Sequence, residues 1–286
     1  METKKLITVN SLSGGKTSSY IAANYPADYN VFALVRMNGE KTIKDKKLIQ
    51  FIEDKIQKPF VATPEDDIII KTMIDLEQYI GQSIKWVSGV TFDEHIQNNN
   101  GNVPNLMRRT CTQSLKLKPI FEWWLSEINQ VVEMRIGFRA NEQRRAKSMI
   151  DRTNDDGYLY DKFIIGKHKN GNNKWKTYKY QKPVFPLIKD NIYKDKIENY
   201  WKDKPVRFAY MNNCIGCFHR NEVLLKFMSE QHPNKFDWFI NAENETGYNT
   251  RTFKNGIRYK QIKNSLKQTK LFETDFTECD SGYCGL

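Results

Sequence analysis

Residues 11–20 read "SLSGGKTSSY" and follow directly on the apolar, β-branched run "LITVN" at residues 6–10. That run has the length and composition of a buried strand, and "SSYIAANY" behind the loop has good helix formers with no breaker before Pro26. Strand, glycine turn and helix in succession bring backbone N–H groups and a helix N-terminus together on an anion. Gly14 and Gly15 let the backbone approach closely, while Ser13, Thr17 and Ser18 can cap the helix or donate to phosphate oxygens. A tight turn with a serine cap is the plainer meaning of Ser-Gly-Gly. The preceding strand favours the nucleotide loop. A Walker loop, G-x-x-x-x-G-K-S/T, would need glycine where the chain has Asn10, so that loop is excluded. The pattern that fits is S-G-G-x-x-S, from Ser13 to Ser18.

The 286 residues suit one large α/β domain, or such a domain with a smaller C-terminal piece. No apolar run approaches the roughly 18 residues of a membrane span. The opening "METKKLITVN" lacks the apolar middle of a signal peptide, so the expectation is a cytoplasmic protein with no membrane partner. The formal charge of +11 suits an anionic partner, either nucleotide or nucleic acid. Much of it is local: residues 162–182, "KFIIGKHKNGNNKWKTYKYQK", carry seven lysines and no acidic residue. Trp175, Tyr178 and Tyr180 are interleaved with those lysines, the combination used for phosphate attraction with base stacking. The other reading is a solvated hairpin turning at "NGNN", whose alternating aromatics pack on the domain. Both stay open on sequence alone.

After the loop the pattern alternates. Residues 31–37 read as a second strand, 42–56 as an amphipathic helix, "PFVATP" at 59–64 as a third strand, and 65–80 as a helix. Residues 131–138 form a further strand before a helix opening at "NEQRRAKSMI". Strands alternating with helices predict a parallel sheet with helices on both faces and ligands at the carboxyl ends of the strands. Beyond about residue 191 the strand signal stops and helical segments dominate. The aromatic group "FEWWL" at 121–125 reads as core, and His168 and His219 as structural or surface residues.

The five cysteines are Cys111, Cys214, Cys217, Cys279 and Cys284. In a cytoplasmic chain, C-x-x-C points to metal or redox chemistry rather than a structural disulfide. "NNCIGCFHR" sets Cys214 and Cys217 around a glycine, a turn on which two thiolates can face one ion. Cys111, Cys214, Cys217 and one tail cysteine could hold a 4Fe–4S cluster. Alternatively Cys214, Cys217, Cys279 and Cys284 could form a structural Zn²⁺ site, leaving Cys111 unused.

Taken in order, "SGGKTS", "RRTCTQSLKLKPI", "IGFRANEQRR", "PVFPL" and "NNCIGCF" give the chain a resemblance to the PP-loop ATP pyrophosphatase superfamily, in its phosphoadenosine-phosphosulfate (PAPS) reductase-like branch, related to the DNA phosphorothioation ATPase. The resemblance implies an adenine nucleotide α-hydrolase-like sheet at residues 1–188 and a helical, cysteine-bearing C-terminal part at 189–286. It implies ATP with Mg²⁺ over Ser13–Ser18, Lys16 as the charge partner of the departing pyrophosphate, and a cysteine-ligated 4Fe–4S cluster. Within it Cys284, in the ending "YCGL", is the preferred fourth ligand over Cys279. Arg139 and Glu142 match the family-like "GFRANEQRR" at the carboxyl edge of the predicted sheet. Arginine there can clamp phosphate or sulfate, and Glu142 could position Mg²⁺ or an arginine. Arg144 and Arg145 fit a solvated helix start equally well.

The implied activity is adenylation of an acceptor, on tRNA or DNA, followed by sulfur transfer with a sulfur donor or reductant protein as partner. Two alternatives stand beside it. One is reduction of a sulfonucleotide, PAPS or adenylylsulfate, by a Cys284 thiol. The other is a non-catalytic nucleotide or nucleic-acid binding protein. Against reduction, "MNGEKTIKDKK" stands where assimilatory reductases carry T-G-x-x-F-P-E-T, and Cys111 has no adjacent cysteine.

Overall fold

The computed structural model describes residues 5–244 and 251–266. Its centre is a six-stranded sheet in the order β3-β2-β1-β4-β6-β5. The strands are β1 (Ile7–Leu12), β2 (Tyr29–Ala33), β3 (Ile84–Val87), β4 (Val132–Arg135), β5 (Leu159–Lys167) and β6 (Asn173–Val184). All neighbours pair in parallel except β5 and β6, which form an antiparallel hairpin at one edge. Both faces of the sheet are covered, as alternate residues of β2 show. Phe32 points into a cluster with Ile21, Ile52 and Ile69, whereas Val31 and Ala33 pack with Phe121 and Trp124 on the other side. Ring-rich 121–125 is therefore core, as its composition predicts.

The loop opens α1 (Lys16–Asn24), and the chain next forms α2 (Lys46–Ile56) and α3 (Ile68–Ile80). Each of the latter two starts three or four residues later than the apolar periodicity predicts. The Asp45 side chain accepts from the amides of Lys47 and Leu48 and so fixes the first turn of α2. Before α3, Glu65 and Asp67 are drawn into ion pairs with Lys116 and Lys235, and Asp66 Oδ2 lies 3.5 Å from His232 Nε2, contacts that hold the three as a turn.

The expected strand at 59–64 is not one. It contributes a single antiparallel bridge, Met37 to Ala62, between Pro59 and Pro64, neither of which has an N–H to extend a ladder. The third parallel strand is instead the four-residue "IKWV" of β3, too short and too interrupted by Lys85 to stand out in the sequence.

After α4 (Phe92–Asn98) a continuous helical segment runs through α5 (Thr110–Thr112), a π-helical turn at Gln113–Leu117, α6 (Lys118–Trp123) and a second π-helical turn at Trp124–Ile128. Then come α7 (Gln143–Ile150), α8 (Pro186–Lys189), α9 (Lys194–Trp201), α10 (Glu222–Gln231), α11 (Pro233–Asn244) and α12 (Tyr259–Lys263). Beyond β6 no further strand occurs among the described residues, in line with the loss of strand signal. The first core cluster includes Leu187, Ile197 and Trp201 from beyond residue 186, and a second gathers Met37, Ala62 and Phe92 with Ile215, Phe239 and Tyr259. Among the described residues, no helix is long and apolar enough to cross a membrane.

Three histidines sit in this packing as neutral rings. Burial pushes the pKa of His95 down, and does the same for His232 in spite of the neighbouring Asp66. His219 is lowered to about 4 by burial and by the positive charges of Arg109 and Lys254. Each binds a proton less readily folded than unfolded, so the unfolded chain takes up protons first once the pH drops below about 6.5. Stability is then expected to fall on acidification from pH 7 to 5, with His219 alone contributing on the order of 1–2 kcal/mol. Urea unfolding midpoints across that range test this: His219→Gln should flatten part of the slope, and a midpoint independent of pH would contradict the assignment.

Candidate nucleotide site

The turn after β1 is held open by wiring between its own serines. Ser18 Oγ accepts from the amide of Ser13 at 3.1 Å and donates to the carbonyl of Gly15 at 3.1 Å, with Ser13 Oγ 3.2 Å away. Gly15 is the N-cap of α1, and no side chain caps the helix. The unsatisfied amides of its first turn thus face outward at the positive end of the helix dipole. Gly14 has φ +80°, and a Cβ there would stand 2.4 Å from Ile69 Cγ2. At Gly15 a Cβ would stand 2.1 Å from the side-chain nitrogen of Asn212, a group that can rotate away, so close approach requires glycine at position 14 and favours it at 15.

The loop lies at the point where the sheet changes direction. β2 and β3 spread to one side of β1 while β4 joins on the other, and ligands of open α/β sheets bind at the carboxyl ends flanking that reversal. A cavity of about 350 Å³ opens there. Ser13, Gly15, Thr17 and Ser18 of the loop line it together with Leu159, Tyr160 and Gln181 of the hairpin. Apolar walls come from Leu117, Ile120, Met134, Ile136, Phe138 and Tyr180. Arg145 and Arg152 add positive charge along one side. Gln113, Glu142, Asp161, Asn212 and Asn213 also line it, so apolar walls and polar groups are mixed, a make-up compatible with a nucleotide-sized pocket.

The residues singled out in the sequence divide at this cavity. Thr17 and Ser18 line it, but Lys16 Nζ turns to an ion pair with Glu198 on α9, and the Lys16 carbonyl accepts from Trp201 Nε1 at 2.9 Å. Arg139 is buried and braced by Glu142, which accepts from its amide at 2.9 Å and from its Nε at 3.2 Å. The other oxygen of Glu142 accepts from Arg145 Nη1 at 2.6 Å. Of the two roles open to Glu142, the geometry is that of positioning arginines. Arg145 then stacks over Phe138 with its guanidinium carbon 4.3 Å from the ring centroid, on the cavity wall, whereas Arg144 is exposed.

The Cys214–Cys217 turn is held beside the loop. Asn212, two residues before Cys214, is the group packed on Gly15, and it lines the cavity together with Asn213. Arg220 Nη2 donates to the carbonyl oxygens of Asn212 at 2.6 Å and Cys214 at 3.2 Å. Ile215 N donates to Pro64 O at 2.7 Å, and Tyr259 Oη donates to Gly216 O at 2.9 Å, anchoring the turn in the helical core. Cys217 is buried, and Cys111 and Cys214 pack partly buried against the same core cluster. Among the described residues, no group of three or more His, Cys, Asp or Glu side chains is disposed to hold a metal ion. Cys279 and Cys284 lie outside the described residues. The described donor set does not by itself make a 4Fe–4S or Zn²⁺ centre, and no chemical step is derived through one.

Glu198, Arg152 and Gln181 carry no motif, and Asn212 only opens the "NNCIGCF" segment. Only the "NN" before C-x-x-C could have drawn attention, as a polar pair between two apolar stretches. His168 lies at the exposed hairpin turn and His219 against Phe218, both away from the cavity lining. No protein-family model, curated protein or solved structure matches the chain.

Proposed function

We propose that the protein is a PP-loop ATP pyrophosphatase with an adenine nucleotide α-hydrolase-like fold, which adenylates an acceptor. The observation carrying this reading is the uncapped start of α1, with Gly14 and Gly15 pressed to their neighbours, opening into a nucleotide-sized cavity at the reversal of strand order. An acceptor oxygen attacks the α-phosphorus, the bond to the bridging oxygen of the β-phosphate breaks, and pyrophosphate leaves. The chain's part is positioning and charge stabilisation. The α1 amides with Thr17 and Ser18 hold the departing pyrophosphate, and Arg145, fixed by Glu142 and Phe138, stands along the cavity for the α-phosphate side. Mg²⁺ would add charge on the phosphate oxygens when bound. For the subsequent sulfur transfer, the partly exposed Cys214 is the thiol nearest in sequence to the loop contact at Asn212. Once a donor protein charges it as a persulfide, its outer sulfur would displace AMP from the acceptor carbon, and a reductant protein would split the mixed disulfide left behind.

Lys16 can join the phosphates only by leaving Glu198, which the flexible lysine stem permits. Two substitutions should therefore move ATP affinity in opposite directions. Lys16→Ala should weaken it tenfold or more, since a hydrogen bond to a charged group contributes about 1.5–3 kcal/mol. Glu198→Gln should strengthen it several-fold by releasing the lysine. Calorimetric titration with ATP checks both, and unchanged affinity in the two variants would remove Lys16 from the site. Pyrophosphate release from ATP in the presence of acceptor tests the reaction itself. Sulfite release from an adenylylsulfate, with no pyrophosphate from ATP, would establish the reductase instead. Nucleotide binding without either product would establish a binding protein.

A further inference from the structure

The lysine-rich hairpin is not absorbed by the nucleotide site, and it leads straight out of it. Its two strands pair from Leu159 with Gln181 to Lys167 with Asn173, turning at 168–172. Opposed residues of an antiparallel pair share a face and successive residues alternate, so the register sorts the hairpin's side chains. Phe163, Tyr178 and Tyr180 lie on the inner face and pack on Phe121, with both tyrosines also on Trp124. Ile164 opposes Trp175 on the outer face, with Lys162 opposite Thr177 and Tyr160 opposite Lys179 alongside. Lys167 comes to the same face beyond the irregularity between Ile164 and Gly166.

Packing on the domain thus accounts for two of the three interleaved aromatics and not the third. Trp175 is 56 % exposed, and Tyr160, Ile164 and Ile165 are exposed beside it. A large indole in water, with Lys162 and Lys167 on its own face and Lys179 further along it paired with Asp156, is poorly explained as core.

We infer that the outer face of this hairpin is a platform for single-stranded nucleic acid, delivering the acceptor nucleotide to the cavity. Lysines along the strands attract a polyanion, and an exposed indole offers a stacking surface that any base can use. A folded acidic protein or a lipid surface would account for the charge. Neither would use the continuity of the platform with the cavity, whose lining includes Leu159, Tyr160 and Gln181 of the same two strands. Strand binding stands on the hairpin alone; the role as acceptor rests on the adenylation proposed above.

Fluorescence anisotropy with a labelled oligo(dT) 12-mer, an oligo(U) 12-mer and a mixed-sequence DNA duplex tests the inference on the full chain. Single strands should bind more tightly than the duplex. Trp175→Ala, at an exposed position, should weaken single-strand binding about tenfold, the loss of one stacked base, with an unchanged melting temperature. Lys162→Ala combined with Lys167→Ala should lower the slope of log affinity against log salt by about 1.4. Lys46→Ala with Lys47→Ala, on exposed α2, removes the same charge elsewhere and should change neither. Duplex binding as tight as single-strand binding, equal retention on anionic phosphatidylserine vesicles, or a Trp175→Ala variant that binds like the parent would each overturn the platform. ATP affinity measured on the same samples separates the two proposals. Intact ATP binding without strand binding defeats only this one, and strand binding without ATP binding defeats only the adenylation.

Discussion

Gly14→Ala is expected to abolish ATP binding and to destabilise the protein by about 2–4 kcal/mol, lowering the melting temperature by roughly 5–12 °C. Two costs combine. The residue sits at φ +80°, where a side chain crowds the backbone by about 1 kcal/mol or more, and its Cβ would stand 2.4 Å from Ile69 Cγ2. Ile69 is buried in the first core cluster beside α1 and has nowhere to move, so the loop must shift instead. Gly15→Ala should behave differently. Its obstacle is the end of the Asn212 side chain, which can rotate away, so the stability loss should be smaller while ATP affinity still falls at least tenfold. Thermal unfolding with and without ATP, alongside calorimetry, separates the two effects. If Gly14→Ala keeps both its melting temperature and its ATP affinity, the loop is not the strained cradle described above.

That pair of glycines also marks how far the sequence can be read. The strand, turn and helix around Ser13–Ser18 were legible because each is a local event: an apolar run, two glycines, a breaker-free helix. The same holds for the alternation that builds the parallel sheet. What stayed hidden depends on partners distant in the chain. β3 is four residues long and forms only because β2 offers it a ladder. The stretch 59–64 has strand composition, but its prolines and the buried charges after it leave one bridge. Of the candidate residues the motifs pointed to, Thr17, Ser18 and Glu142 line the cavity and Arg139 is buried behind Glu142. The motifs could not foresee that Lys16 would turn to Glu198, more than a hundred residues away, or that Asn212 would be the residue closing on Gly15. The hairpin shows the same limit: its "NGNN" turn and alternating aromatics announced it, and only the strand register separates Trp175 from the two tyrosines that pack inward.

Glu142 is the residue at which fold and proposed chemistry are hardest to separate, and its removal should have the other large effect. Its carboxylate is 10 % exposed and lies between Arg139, 8 % exposed, and Arg145, 21 % exposed. Glu142→Ala would leave the Arg139 guanidinium buried without its carboxylate, and stripping one partner from a buried pair costs about 3–5 kcal/mol. Glu142→Gln keeps the shape but turns an amide NH₂ toward one of two guanidinium groups, so an intermediate loss is expected. Arg145 would also lose the contact that fixes it over Phe138 on the cavity wall. Arg145→Gln supplies the distinction. It leaves the Arg139–Glu142 pair in place and should cost about 1 kcal/mol of stability, since its ion pair is partly exposed. If Arg145 serves the α-phosphate, pyrophosphate release should nevertheless fall by tenfold or more, the loss of a charged hydrogen bond in the transition state. Should Arg145→Gln release pyrophosphate at the parent rate while Glu142→Ala unfolds easily, the three charges are a brace for the start of α7. The catalytic cation would then have to be sought in Lys16 or Arg152.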